Sequence, residues 1–431
     1  MPECFTIFAD EVEGRLNPAY YRNKNPFLQS KYELINIENY FIVNPKFQNS
    51  DNLKVVSFLP MKNINSELQE VDKFDRIEIE KIKGYTPFEE GDLVFAKVTP
   101  CMENGNLAIC ENMPFKIGVG TSEIYVFREK QKNKTSNKFL KVLFSINKFR
   151  QFAKNNFTGT GGLQRVPRDF FNNLKIPLPP LATQNKIVSL MDKSYSSKKS
   201  KESEALKLLD SINDYVLDEL GIKLPELKDK MCFVVNYEEI KKGRIDPTNF
   251  ANPQDTLNSN KFKEKNLYEV ASLVKGQSIT KENITSGDYP VVAGGQSSPY
   301  SINVYNHKGN VITVSASGAY SGYVWYHQNS IFASDCTVIK SLDEKEVSTF
   351  YLYCVMKAKQ KFIYNMQQGA GQPHVYSRDL SNIKIPLPPL AVQNKIADEV
   401  KKRMQKAETL QKEAKEELEK AKLEVEKIIL G

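Results

Sequence analysis

The sequence predicts a mixed α/β protein of the α+β type. Two β-rich globular domains are separated by an antiparallel coiled coil of two long helices, and the whole is an internal repeat with pseudo-two-fold symmetry. Three observations predict this. A fourteen-residue phrase occurs twice, Leu174-Lys-Ile-Pro-Leu-Pro-Pro-Leu-Ala-Thr-Gln-Asn-Lys-Ile187 and Ile383-Lys-Ile-Pro-Leu-Pro-Pro-Leu-Ala-Val-Gln-Asn-Lys-Ile396, differing only at Leu174/Ile383 and Thr183/Val392. Each copy leads into a long stretch of helical periodicity. Each is preceded by an insert of short β-branched and aromatic runs. A match of this length marks an internal duplication.

The phrase has a physical meaning of its own. Leu174-Lys-Ile176 alternates like the end of a strand. Pro177, Pro179 and Pro180, like Pro386, Pro388 and Pro389, hold an extended spacer and forbid a helix there. Gln184 and Gln393 then stand near the start of a helical pattern. A shorter echo, Gly14-Arg-Leu-Asn-Pro18 against Gly243-Arg-Ile-Asp-Pro247, marks where each unit begins.

Residues 1–181 are the first domain, with strand-like runs at 53–59, 91–98 and 123–127 and helical spacing over 137–155. Residues 182–222 read as the first long helix, with Ile187 and Met191 at one end and Leu209, Ile212 and Val216 at the other on gaps of three and four. A linker follows at 223–242. The second domain spans 243–390, with strands at 311–315, 321–326 and 331–339 and a helix over 348–358. Residues 391–431 form the second long helix, whose seam is Ile396, Val400, Leu410, Leu418 and Val425. Neither helix can bury its stripe alone, so the two are expected to pack antiparallel over about 60 Å at about 1.5 Å per residue. The plain alternative is that each helix covers its own domain. The middle of the first helix, Ser194 to Glu204, is polar, which predicts looser packing there.

Bulk properties narrow the function classes. A chain of 431 residues carries cores for two or three domains. A net charge of +8 is compatible with nucleic acid and equally with an ordinary basic protein. The first residues lack a basic start and an apolar core, so no signal peptide is expected. No run reaches a membrane span. The six cysteines show no CxxC pair and read as reduced thiols of a cytoplasmic protein. The three histidines show no metal-ligand spacing, and no phosphate-binding Gly-x-x-x-x-Gly-Lys motif occurs. No catalytic constellation stands out, and no cofactor is expected.

Polar residues set among glycines or in turns are the candidates for contacting DNA. In the first insert they are Lys97, Thr99, Met102, Glu103, Asn104 and Asn106, in a stretch expected to turn at Asn104-Gly105, and Gly161, Gln164 and Arg165. Gln164 suits an adenine edge and Arg165 a guanine edge. In the second insert they are Gln296, Ser298, Ser315, Ser317, Tyr320, Gln372 and His374. Each loop is, on composition alone, equally an inert turn. Duplicated frames holding divergent inserts suggest one task carried out on two different targets.

With the twin proline phrases, the helices after them, the Arg-Leu/Ile-Asx-Pro starts and Ala96-Lys-Val-Thr-Pro-Cys-Met-Glu-Asn-Gly105 in view, the chain resembles a specificity subunit of a type I restriction-modification enzyme over nearly its whole length. The resemblance implies that each insert is a target recognition domain for one half of a split double-stranded DNA site. It implies that the helices space the two domains. Methyltransferase subunits would dock on the repeated regions and a restriction/translocase subunit would join them. Those partners would carry S-adenosylmethionine and ATP, leaving this subunit non-catalytic. The alternatives are the specificity subunit of a type II split-site enzyme, or a nuclease or methyltransferase whose active site is not recognised.

Overall fold

The structure is a computed structural model, described here for residues 25–46, 54–159, 163–223, 237, 258–279, 285–369 and 371–431. The Asx-Pro echoes at 14–18 and 243–247, most of the linker at 223–242 and Gly161 lie outside the described residues. The chain forms two compact units, one of Met1–Glu202 with Gln411–Gly431, the other of Ser203–Leu410. Each unit therefore contains part of both long helices.

In the first unit the start of the proline phrase is a strand. Lys175–Pro177 pairs antiparallel with Leu34–Asn36, with Leu34 opposite Pro177. The main body has two sheets. One orders the strands Phe41–Val43, Ile124–Glu129, Leu93–Ala96 and Leu107–Ile109. The other orders Asp75–Glu78, Val55–Leu59, Ile117–Gly120 and Thr86–Glu89, with Val55–Leu59 and Ile117–Gly120 parallel. Two helices, α1 (Asn137–Ser145) and α2 (Asn147–Asn155), cover the first sheet. Ser136 caps α1 through its side chain on the Phe139 amide. The core between them is aromatic. Phe171 sits edge-on to Phe127 and Tyr125 at 5.1 Å, and Phe144 stacks on Phe149 at 4.5 Å.

The second unit repeats this plan. Lys384–Pro386 pairs antiparallel with Glu264–Asn266. The sheet order is Ala271–Lys275, Cys336–Ser341, Val311–Ser315 and Val324–His327. A second sheet again contains a parallel pair, Ser286–Val292 with Phe332–Ala333. Ser348 caps helix α3 (Thr349–Ala358) as Ser136 caps α1. The run expected as one strand over 331–339 is two strands, because the chain leaves one sheet at Ser334-Asp335 and enters the other.

The long helices are α4 (Leu181–Leu220) and α5 (Leu390–Leu430). They run antiparallel inside each unit. In the first, Ser197 Oγ donates to Glu417 at 2.8 Å and Lys201 reaches Glu413 at 2.9 Å and Glu417 at 2.5 Å. In the second, Arg403 donates to Ser211 at 3.0 Å and Lys395 to Glu219 at 2.9 Å. The apolar stripes serve two purposes. Ile187, Met191, Leu418 and Val425 join the core of the first domain, while Ile212, Val216, Ile396 and Val400 join that of the second. The helices pack on each other as expected, and the plain alternative holds beside it, since the helix segments also cover the domain of their own unit. Leu209 is corrected. It is 37% exposed, and Leu208 packs instead beside Ala205, Ala407 and Leu410. The polar middle of α4 makes specific contacts. Lys198, almost wholly buried, donates to Glu67 at 2.9 Å on the hairpin of Ile64–Asn65 and Glu70–Val71.

The repeated glutamines explain why the phrase is repeated so closely. Gln184 Nε2 donates to the carbonyls of Pro179 at 2.8 Å and Lys134 at 2.9 Å. Gln393 does the same to Pro388 and Glu346, both at 3.0 Å. Each amide ties the helix start to its proline spacer and to the loop before the domain's helix. Ser30 Oγ donates to the carbonyl of Ile429, and Ser259 Oγ to that of Leu220, both at 2.5 Å. Each hydroxyl caps carbonyls left open at a helix C-terminus.

Candidate nucleic-acid interface

In the first unit, two loops are laced together by main-chain bonds. The segment leaving strand Leu93–Ala96 receives the segment following α2. Thr99 N donates to Gln164 O at 3.0 Å, Val166 N to Lys97 O at 2.9 Å, and Thr158 and Arg165 exchange bonds of 2.9 Å. Lys97 N donates to Glu123 O at 3.0 Å, tying in the neighbouring strand. Gly159, at φ 109°, turns the second loop with a conformation that side chains resist.

The second unit builds the same lacing with other residues. Gly318 N donates to Pro373 O at 2.9 Å, Val375 N to Ala316 O at 3.0 Å, and Gln368 and His374 exchange bonds of 2.8 Å. Ala316 N donates to Asp335 O at 3.1 Å. Gly369, at φ 104°, stands where Gly159 does. The backbone is equivalent, and the side chains it displays are not. Thr99 faces the role of Gly318, Glu123 that of Asp335, and Arg165 that of His374.

The candidate residues fall into distinct groups on this framework. Gln164, Asn104, Gln296, Tyr320 and Gln372 are exposed; Lys97, Thr99, Glu103, Asn106, Arg165, Ser298, Ser317 and His374 are half-buried. Two candidates are corrected. Met102 is 1% exposed and lies in the aromatic core, because Cys101–Asn104 forms a helical turn, ended by Gly105 at φ 86°, and not the expected hairpin turn. Ser315 is 3% exposed, and its hydroxyl bonds the Gly295 carbonyl at 3.3 Å. That bond, with the packing of Gly294 on the Ser317 carbonyl, brings the 293–298 loop to the other two.

The exposed chemistry of the two units differs. In the first, Arg165 forks onto Glu123 through Nε at 2.9 Å and Nη2 at 2.8 Å, and donates from Nη1 to Leu163 O at 2.9 Å. Lys154 bridges to Glu103 at 2.6 Å, and Thr99 Oγ1 donates to the same carboxylate. Arg168 pairs with Glu38 at 2.6 Å. Lys97 lies 5.3 Å over the Tyr125 ring. Hydrogen bonding to Arg165 holds the Glu123 carboxyl below the usual carboxylate range, and Lys154 does so for Glu103. In the second unit the His374 ring stacks on Tyr376 at 6.1 Å, and Arg378 lies 4.9 Å over the other aromatic's ring. Ser317 Oγ donates to Asp335.

Glu123, Asp335, Tyr376 and Arg378 escaped the sequence reading. The Arg168-Asp169 and Arg378-Asp379 pairs that follow the loops in both inserts are a signal for Arg378 alone. Asp92, near Lys97 in sequence, pairs with Arg128 at 2.7 Å and so belongs to the framework of the sheet. Among the described residues no His, Cys, Asp and Glu group could hold a metal ion, and no helix is long and apolar enough to cross a membrane.

Comparison with known proteins gives this geometry a family. The model of the type I restriction modification DNA specificity domain matches twice, at residues 24–209 and 259–420. The type I restriction enzyme EcoAI specificity subunit of Escherichia coli is 34% identical over 206 residues, 47% of this chain and 35% of that protein. The EcoEI specificity subunit of the same species is 31% identical over 195 residues, 44% of this chain and 32% of its own length. The match thus spans about a third of those curated relatives. The crystal structure of a type I restriction-modification S subunit from M. genitalium has a TM-score of 0.51 at 15% identity, covering 93% of this chain and 96% of that one, which shows a shared fold. A domain model that fits both halves, over loops and helices that repeat in both halves, places this chain in the family of type I restriction-modification DNA specificity domains.

Proposed function

We propose that the chain is the sequence-specific DNA-recognition subunit of a type I restriction-modification complex. Each recognition domain, 1–181 and 243–390, reads one half of a bipartite duplex site, and the helix pair sets the spacing between halves. The chain performs no chemistry; methyltransferase subunits and a restriction/translocase subunit supply it, in the cytoplasm where the chromosome lies.

The observation that carries this reading is the equivalent loop lacing of the two units, filled with unlike side chains. Exposed Gln164, Asn104, Gln296, Tyr320 and Gln372, with half-buried Lys97, Thr99, Arg165 and His374, suit base edges and phosphates. Lys154 and Arg168, now paired with Glu103 and Glu38, would exchange those carboxylates for phosphates, which makes binding salt-sensitive. Docking of methyltransferase subunits on the repeated regions is supported by Leu181 and Leu390. These matched apolar residues of the proline phrase stay 43% and 41% exposed.

Sequencing DNA methylation in host cells with and without this chain tests the proposal. A split motif is expected only when the chain is present. In vitro, the chain with its methyltransferase partner should shift duplex DNA, and the chain alone should neither methylate nor cleave it. Unchanged methylation on deletion, or catalysis by the purified chain alone, refutes it.

A further inference from the structure

One residue position is matched in the two units and is chemically inverted between them. Arg165 and His374 each exchange main-chain bonds with the loop before them, and each side chain returns to the carbonyl two residues back. Arg165 Nη1 donates to Leu163 O at 2.9 Å, and His374 Nδ1 lies 2.7 Å from Gln372 O. A carbonyl only accepts, so Nδ1 carries the proton. In the neutral ring Nε2 is then a bare acceptor. Arg165 has only donors. Glu123 occupies its Nε and Nη2 edge, which fixes the guanidinium plane and leaves further N–H groups on Nη1 and Nη2.

We propose, resting on the DNA-reading function above, that this position reads one base in each half-site. Arg165 takes a guanine through O6 and N7. His374 takes a base that presents an exocyclic amino group, adenine N6 or cytosine N4. Glu123 is a positioning residue that aims the fork. Tyr376, stacked on the His374 ring, holds the imidazole plane. Asp335, through its matched carbonyl bond to Ala316, stands in the second unit where Glu123 stands in the first.

The test uses the full chain with its methyltransferase partner and a duplex library randomised through both half-sites, with the bound fraction sequenced. Wild type should require guanine at one position of the first half-site, and adenine or cytosine at one position of the second. R165Q should cut that guanine preference at least about tenfold while the second half-site keeps its pattern. E123Q should weaken the same preference without creating another. H374R, in the other unit and so independent of any folding defect at Arg165, should turn the second position toward guanine. A uniform loss for R165Q on every sequence would make Arg165 a phosphate contact, and an unchanged second half-site for H374R would also overturn the inference. If wild type shows no sequence preference at all, the DNA-reading function itself falls.

Discussion

Met102 occupies the middle of a stretch whose polar neighbours suggest a surface loop, yet its side chain fills the core beneath it. Met102→Ala should cost about 2–5 kcal/mol in chemical denaturation, the range for emptying a buried site. Asn104→Ala, two residues on and exposed, should stay within about 0.5 kcal/mol. His327 carries a pH dependence. Its Nε2 lies 2.8 Å from Thr313 Oγ1 in the second unit, and burial pushes the imidazole down to about 4. The unfolded chain binds a proton at this ring below about 6.5, the folded one only below about 4. Stability is therefore lost as pH falls through that window, by up to about 3 kcal/mol. Denaturation midpoints measured across it should flatten for His327→Gln. If both proteins decline alike, the ring is not the cause. Neither residue's burial could be read from the chain, because both depend on which way a short turn or strand faces.

Among the elements, the helix pair shows how far periodicity reaches and where it stops. Spacings of three and four are equally helical, so Leu208 and Leu209 both continue the stripe from Ala205 to Ile212. Only packing chooses Leu208. The same ambiguity hid the division of the stripe between partner helix and domain core, since an apolar face does not record what covers it. Ala205 and Ala407, both fully buried, let the helices approach closely. Ala407→Leu should overpack that crossing and cost about 1–3 kcal/mol, read as a lower thermal midpoint. The polar middle of α4, legible as a defect in the seam, proves to be an anchoring stretch through Lys198 and Lys201.

For the whole molecule, the duplication was legible because the proline phrase is nearly identical in its two copies, and the structure gives the reason. Pro177 and Pro386 end paired strands in the same register, and Gln184 and Gln393 bond the same kinds of carbonyl, so substitution in either copy would break bonds that define the fold. On the ruler reading, one added heptad in both α4 and α5 lengthens the pair by about 10 Å. The methylated motif should then gain roughly 3 base pairs of spacer at about 3.4 Å each; an unaltered motif would dismiss the ruler. The correspondence of Arg165 with His374 is faint in sequence, marked by the Arg-Asp pairs that follow each loop, because main-chain bonds and not like side chains define it. The bonds that match between the two lacings run between amides and carbonyls, and the side-chain bonds added to them differ from unit to unit. Such a scaffold is indifferent to the letters hung on it. On the proposed function, mutation can therefore rewrite what each unit reads at little folding cost, and a lineage carrying this chain can change its dialect without rebuilding its machinery.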